Sequence, residues 1–110
     1  MHLKQEVSDS IKKCLVDQLD PVRIVIFGSY ATGEADEESD VDIMAIVAND
    51  RPSDRQTAIQ GRVALRKVLR GEGLAFDFLV ESERDFDRAK FQNGTIEHAV
   101  YQQGIVIHEQ

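Results

Sequence analysis

The sequence predicts an α/β (α+β) fold, a single mixed β-sheet with helices packed against it. Three observations predict it. Short apolar runs alternate with amphipathic stretches along the whole chain, the pattern of strands covered by helices. A tight Gly28-Ser29 turn leaves one apolar run, Ile24-Val25-Ile26-Phe27, and two aspartates, Asp40 and Asp42, open the next. At 110 residues the chain has room for one hydrophobic core, and a single domain over residues 1–110 is expected.

The elements follow in order. Val7, Ile11, Leu15 and Leu19 recur at four-residue steps, so residues 5–19 read as an amphipathic helix. Asp20-Pro21 ends it, because proline disfavours a helical residue before it. Residues 23–27 form a short strand apolar on both faces, and residues 41–48 (VDIMAIVA) a second, closed by the Asn49–Pro52 turn cluster. Ser53 is placed to cap a helix running to Arg70, with Ala58, Leu65, Val68 and Leu69 on its apolar face. After the Gly71-Glu72-Gly73 break, residues 74–80 (LAFDFLV) read as a third strand. Ser82 and Asp85 form a variant capping box for a short helix to Lys90. Thr95 caps a helix to Gln103, Gly104 is placed to end it, and residues 105–108 supply a last strand at the sheet edge.

Composition narrows the function. The net charge is −7, yet six carboxylates (Glu34, Asp36, Glu37, Glu38, Asp40, Asp42) fall within nine residues that hold no base. Without them 14 acids face 13 bases, so the acidity is one local patch. It argues against direct binding of a nucleic-acid backbone and for a cation or a basic partner. The four acids of residues 34–38 read as a solvated loop. No run approaches the roughly 20 apolar residues that span a bilayer, and the first residues lack the apolar stretch of a signal peptide. Cys14 is the single cysteine, which leaves no disulfide framework or zinc cluster. A cytoplasmic protein is expected.

The chemistry concentrates on three aspartates. Asp40 and Asp42 stand two apart at a strand start, so their side chains point to one face. Asp77 lies mid-strand between Phe76 and Phe78, where an uncompensated carboxylate would cost several kcal/mol, on the order of 1–3 or more. If its strand neighbours residues 41–48, all three carboxylates converge, and such a set suits magnesium, which takes oxygen ligands and is completed by substrate phosphates. Gly28, lacking a Cβ, lets the backbone approach a ligand. A short helix starting just after it would present free N–H groups to phosphate, and the Ser29 hydroxyl adds a donor.

Gly28-Ser29, ten intervening residues and Asp40-Val41-Asp42 resemble the signature of the minimal nucleotidyltransferase (MNT) group of the DNA polymerase β-like superfamily. Ile43–Ile46 fits that family's apolar strand, Asp77 falls at its third carboxylate, and residues 93–108 resemble its closing helix, glycine and strand. The resemblance implies a polymerase β-like fold and transfer of AMP from ATP. Asp40, Asp42 and Asp77 would be catalytic and hold magnesium, two ions in this family, while Gly28 and Ser29 would bind the nucleotide phosphates. Asp77 would orient or deprotonate the acceptor hydroxyl. One departure stands out: Thr32 occupies a position where relatives often carry an arginine, and threonine cannot grip phosphate bidentately.

With no segment available for a separate acceptor domain, the acceptor is expected to be a docking macromolecule. The resemblance implies a HEPN-family toxin, modified on a tyrosine hydroxyl, with this chain as its antitoxin. Two alternatives remain: an antitoxin that neutralises by binding alone, and a transferase acting on a small molecule such as an aminoglycoside. Arg55, Arg62, Arg66 and Arg70 share one stripe of their helix, either a solvated basic face or a contact surface. Tyr30 is read as packing in preference to stacking on a base, Tyr101 as core, and the three histidines as surface or packing residues.

Overall fold

A computed structural model describes all residues, 1–110. Its centre is a four-stranded sheet built from β1 (Arg23–Phe27), β2 (Val41–Val47), β3 (Phe76–Ser82) and β4 (Ile105–Glu109), in the order β3-β2-β1-β4. β1 runs antiparallel to β2 and β4, and β2 parallel to β3, so the sheet is mixed. The parallel pair is joined through α3 (Arg55–Leu69), which continues into a 3-10 turn at Arg70–Glu72. α1 (Gln5–Leu19) precedes the sheet, α2 (Ser29–Thr32) is a single turn, and α4 (Glu83–Ala89) and α5 (Ile96–Gln103) lie between β3 and β4.

Alternation along the strands divides the core into two layers. Ile24, Ile26, Ile43, Ala45 and Phe78 face α1 and α3 and meet Val7, Ile11, Leu15, Leu65 and Leu69. Val25, Met44 and Ile46 face the opposite way, onto Phe86 of α4 and Val100 of α5. The second layer is thin because α4 and α5 have only 7 and 8 residues. Its cover stops short of the start of β2 and β3, and that uncovered end carries the acidic side chains.

α1 and β1 have the bounds that their periodicity predicts, and β2 differs only at its last residue. Other details depart. Asp20 ends α1 in the left-handed conformation (φ 47°), which aspartate tolerates better than most residues. Asp54, not Ser53, caps α3: its Oδ1 accepts from Thr57 N at 3.0 Å and from Thr57 Oγ1 at 2.8 Å. The buried stripe of α3 is Thr57, Gly61, Leu65 and Leu69, since the helix meets the Phe78 ring through Gly61, where a β-carbon would lie 2.5 Å from Phe78 Cε2. The third strand starts two residues later than predicted, so Asp77 is its second residue and not its middle. Gly104 is extended (φ −68°, ψ 150°), not left-handed; it is small because a side chain there would run into Val100 O and Val25 Cγ1. Tyr101 is exposed and packs edge-on against Phe91, ring centroids 5.2 Å apart, outside the core.

Candidate active site

Gly28 ends β1 with φ 70° and ψ −150°, a region in essence restricted to glycine. The residue also faces Asp42 so closely that a β-carbon would overlap Asp42 Oδ2 and lie 3.1 Å from Cγ. Conformation and space both require glycine here. Its carbonyl accepts from Ala31 N at 3.0 Å and Thr32 N at 3.3 Å, which starts the one-turn helix α2. The first amides of a helix have no carbonyl within it, so those of Ser29 and Tyr30 are free of α2's own bonding. Tyr30 itself is buried, part of the core beneath the turn, and anchors it. His2 Nδ1 lies 3.2 Å from Tyr30 O on the outer side.

Asp42 is placed by the pleat. It precedes Met44 by two on the α4/α5 face, beside Phe27 on β1 and in register with Asp77 on β3. Facing residues of neighbouring strands share a face, so both carboxylates project together at the uncovered end of the sheet. Burial, then the charges of Asp77 and Asp40, push the Asp42 carboxyl above its ordinary range, and a proton shared with Asp77 adds to the effect. Asp77 is exposed and Asp42 half-buried. Asp40 lies just before β2, also exposed, and reaches Asp42 through its field.

Gly28, Ser29, Asp42 and Asp77 thus meet at one end of the sheet, with Asp40 on its approach. No three acidic, histidine or cysteine side chains are drawn tightly enough together to make a preformed metal cluster. The donor set nonetheless fits a hard divalent cation: it is all oxygen, and it lacks a protein counter-charge. The chain's three ion pairs, Arg23–Glu109, Arg51–Asp20 and Lys90–Asp87, all lie elsewhere. Thr32 does not replace the missing arginine, since its hydroxyl is spent on Glu34 Oε1 at 2.8 Å and Ser29 O at 3.4 Å. Sequence reasoning overlooked the half-buried acid Glu81, on the same face of β3, whose buried Oε1 has no hydrogen-bond donor. A carboxylate inside an apolar strand was the available signal, the same one that marked Asp77.

A glycine-led turn above paired carboxylates on adjacent strands of a mixed sheet defines a nucleotidyltransferase class of α/β protein. The chain belongs to the polymerase beta nucleotidyltransferase family, whose model matches residues 9–110. It is 34% identical over 76 residues to a Methanocaldococcus jannaschii protein named "Putative protein adenylyltransferase MJ0141", covering 69% of each chain. A second protein of that organism and name, MJ1379, is 50% identical over 40 residues, 36% of this chain and 40% of its own. Among solved structures, a toxin–antitoxin with AMP-PNP superposes with a TM-score of 0.65 at 21% identity, covering 94% of this chain and 73% of that one. A mutant of the toxin–antitoxin MntA-HpeT gives 0.65 at 19% identity over the same shares. These two share the fold.

Proposed function

We propose that the chain is a magnesium-dependent adenylyltransferase that moves AMP from ATP to a tyrosine hydroxyl of a partner HEPN-family toxin, and so acts as its antitoxin. The observation that carries this reading is the contact between Gly28 and Asp42, with Asp77 in register beside Asp42. It joins a phosphate-binding turn to a carboxylate pair, and a nucleoside triphosphate needs both. The relatives named as protein adenylyltransferases support AMP and a protein acceptor, and the toxin–antitoxin neighbours support the kind of partner.

The residues divide the work. The free amides after Gly28 and the Ser29 hydroxyl hold the β- and γ-phosphates, which leave as pyrophosphate. Asp40, Asp42 and Asp77 hold magnesium, two ions in the proposed arrangement. Held there, magnesium would supply charge neutralisation for an in-line displacement at the α-phosphorus. Asp77, the more exposed member of the pair, faces the incoming acceptor. Its carboxylate orients the tyrosine hydroxyl and accepts its proton as the new oxygen–phosphorus bond forms.

The test is mass spectrometry of a small HEPN-like protein, sought first among the products of neighbouring genes, after co-expression with the folded chain. One AMP added to a tyrosine is expected; a partner that stays unmodified overturns the reading. The engagement of Thr32 by Glu34 and Ser29 favours a second reading, neutralisation by binding alone. Asp42→Asn separates the two, since a pure binder would keep its protective effect and an enzyme would lose it.

A further inference from the structure

The arginine stripe of α3 is not absorbed by the catalytic reading. Arg55, Arg62, Arg66 and Arg70 recur at seven- and four-residue steps and so share one side of the helix, beside the buried line of Gly61, Leu65 and Leu69. Arg55, Arg66 and Arg70 are exposed, and none of the four takes part in an ion pair. The helix dipole accounts for bases in the last turn, such as Arg66, but not for a stripe that reaches back to Arg55.

This stripe lies along a strand edge. β3 is an outer strand of the sheet, and Arg62 Nη2 points to Phe78 O at 3.5 Å. From that level Arg66 and Arg70 follow one and two turns later, toward the turn that enters β3. They so flank the end of the strand that carries Asp77, across its open edge from the face on which the Asp77 carboxylate projects. On the other side of the site the loop before β2 exposes Glu34, Asp36, Glu37 and Glu38. The acidic end of the sheet thus has positive charge round the open edge of β3 and negative charge at the phosphate turn. Such a rim orients a partner more than it strengthens binding.

We infer that the α3 stripe and the β3 edge dock an acidic segment of the acceptor protein, next to the hydroxyl that it delivers to Asp77. The inference rests on the proposed function for the acceptor's being a protein. Charge selects the occupant: Arg55, Arg66 and Arg70 are exposed arginines without an ion pair on an otherwise acidic chain, and Arg62, donating to Phe78 O, ties their stripe to the strand that carries Asp77.

Two tyrosine copolymers test it without knowledge of the partner. Poly(Glu,Tyr) and poly(Lys,Tyr) are titrated by fluorescence anisotropy at low salt against wild type, R66E/R70E and R84E/R88E. The last reverses two exposed arginines of α4. Poly(Glu,Tyr) is expected to bind wild type and R84E/R88E alike and to bind R66E/R70E roughly tenfold less, as loss of several exposed charge pairs implies. Poly(Lys,Tyr) should not weaken. Circular dichroism checks that each variant is folded. Three results overturn the inference: no binding of poly(Glu,Tyr) to wild type, equal loss in both double variants, or tighter binding of polyuridylate through the same arginines. Magnesium-dependent binding of AMP-PNP, measured in parallel, should be unchanged in R66E/R70E. Its absence in every protein would strike the catalytic reading and leave the docking result standing.

Discussion

Asp42 Oδ2 occupies the space that a β-carbon on Gly28 would fill. The Gly28 turn and the carboxylate pair are therefore one packed unit, and neither can shift alone. Gly28→Ala adds strain of about 1–3 kcal/mol for leaving a glycine-only conformation and drives the methyl group into Asp42. The expected result is a roughly tenfold or greater loss of magnesium-dependent AMP-PNP binding by calorimetry, with far-ultraviolet circular dichroism unchanged. Affinity equal to wild type would show that the contact does not shape the site.

Asp42 is held above its ordinary pKa range by burial and by Asp77 and Asp40, so its ionised form works against the metal-free fold. Asp42→Asn removes that charge and is expected to raise Tm in EDTA by a few degrees. Magnesium is expected to raise the Tm of wild type, and the same change should remove that rise and lower adenylyl transfer at least about a hundredfold, in line with loss of electrostatic stabilisation at a reacting phosphate. Differential scanning fluorimetry with and without magnesium measures the first two. A Tm in EDTA below wild type would contradict the repulsion argument.

Much of this site is legible in the sequence because local rules govern it. The apolar runs of β1 and β2, the four-residue period of α1 and the caps at Ser82 and Thr95 act within a few residues of chain, and the structure follows them. The misplacements are tertiary. Ser53 and Asp54 are both sound caps, and Thr57 decides for Asp54 by offering it two donors. The strand with Asp77 starts late because its pairing begins where Val41 meets Phe76, a register that no segment specifies by itself. Gly61 and Gly104 look like a weak helical residue and a helix end. Their function as spacers appears only when Phe78 and Val25 are seen beside them.

Those two glycines give the third prediction. A β-carbon at Gly61 meets the Phe78 ring, 2.5 Å from Cε2, and Phe78 is only 2% exposed within the core. Neither α3 nor β3 can yield without disturbing Asp77, the neighbour of Phe78. Gly61→Ala should cost about 1–3 kcal/mol, as overpacking does, and lower Tm by roughly 4–8 °C for each kcal/mol. Gly104→Ala should cost at least as much, because it meets a backbone carbonyl in addition to Val25. Urea unfolding at 25 °C measures both, and a change within about 0.5 kcal/mol, the range of ordinary surface substitutions, would refute the spacer role.

Glu81 gives the fourth. It lies four residues beyond Asp77 on the same face of β3, half-buried against Glu97 of α5 and near Asp85 of α4. Two ionised carboxylates cannot bond each other, which is why Glu81 Oε1 lacks a donor; one proton held between Glu81 and Glu97 supplies the bond. Burial, then that hydrogen bond and the charges of Glu97 and Asp85, raise Glu81 to about 8, while Glu97 is lowered by the same shared proton. In the unfolded chain both ionise near the ordinary value of about 4.3. Between these limits the folded chain binds one proton that the unfolded chain does not. Stability therefore falls as pH rises from about 5 to about 8 and levels off beyond. The slope is at most about 1.4 kcal/mol per pH unit, and smaller in practice because solvent reaches the partly exposed pair. Glu81→Gln cannot ionise and donates its own amide hydrogen to Glu97. It should match wild type near pH 5, exceed it at pH 8 and above, and flatten the decline between. Urea unfolding at half-unit pH steps reads this directly, and an unchanged slope in Glu81→Gln would show that another group carries the proton.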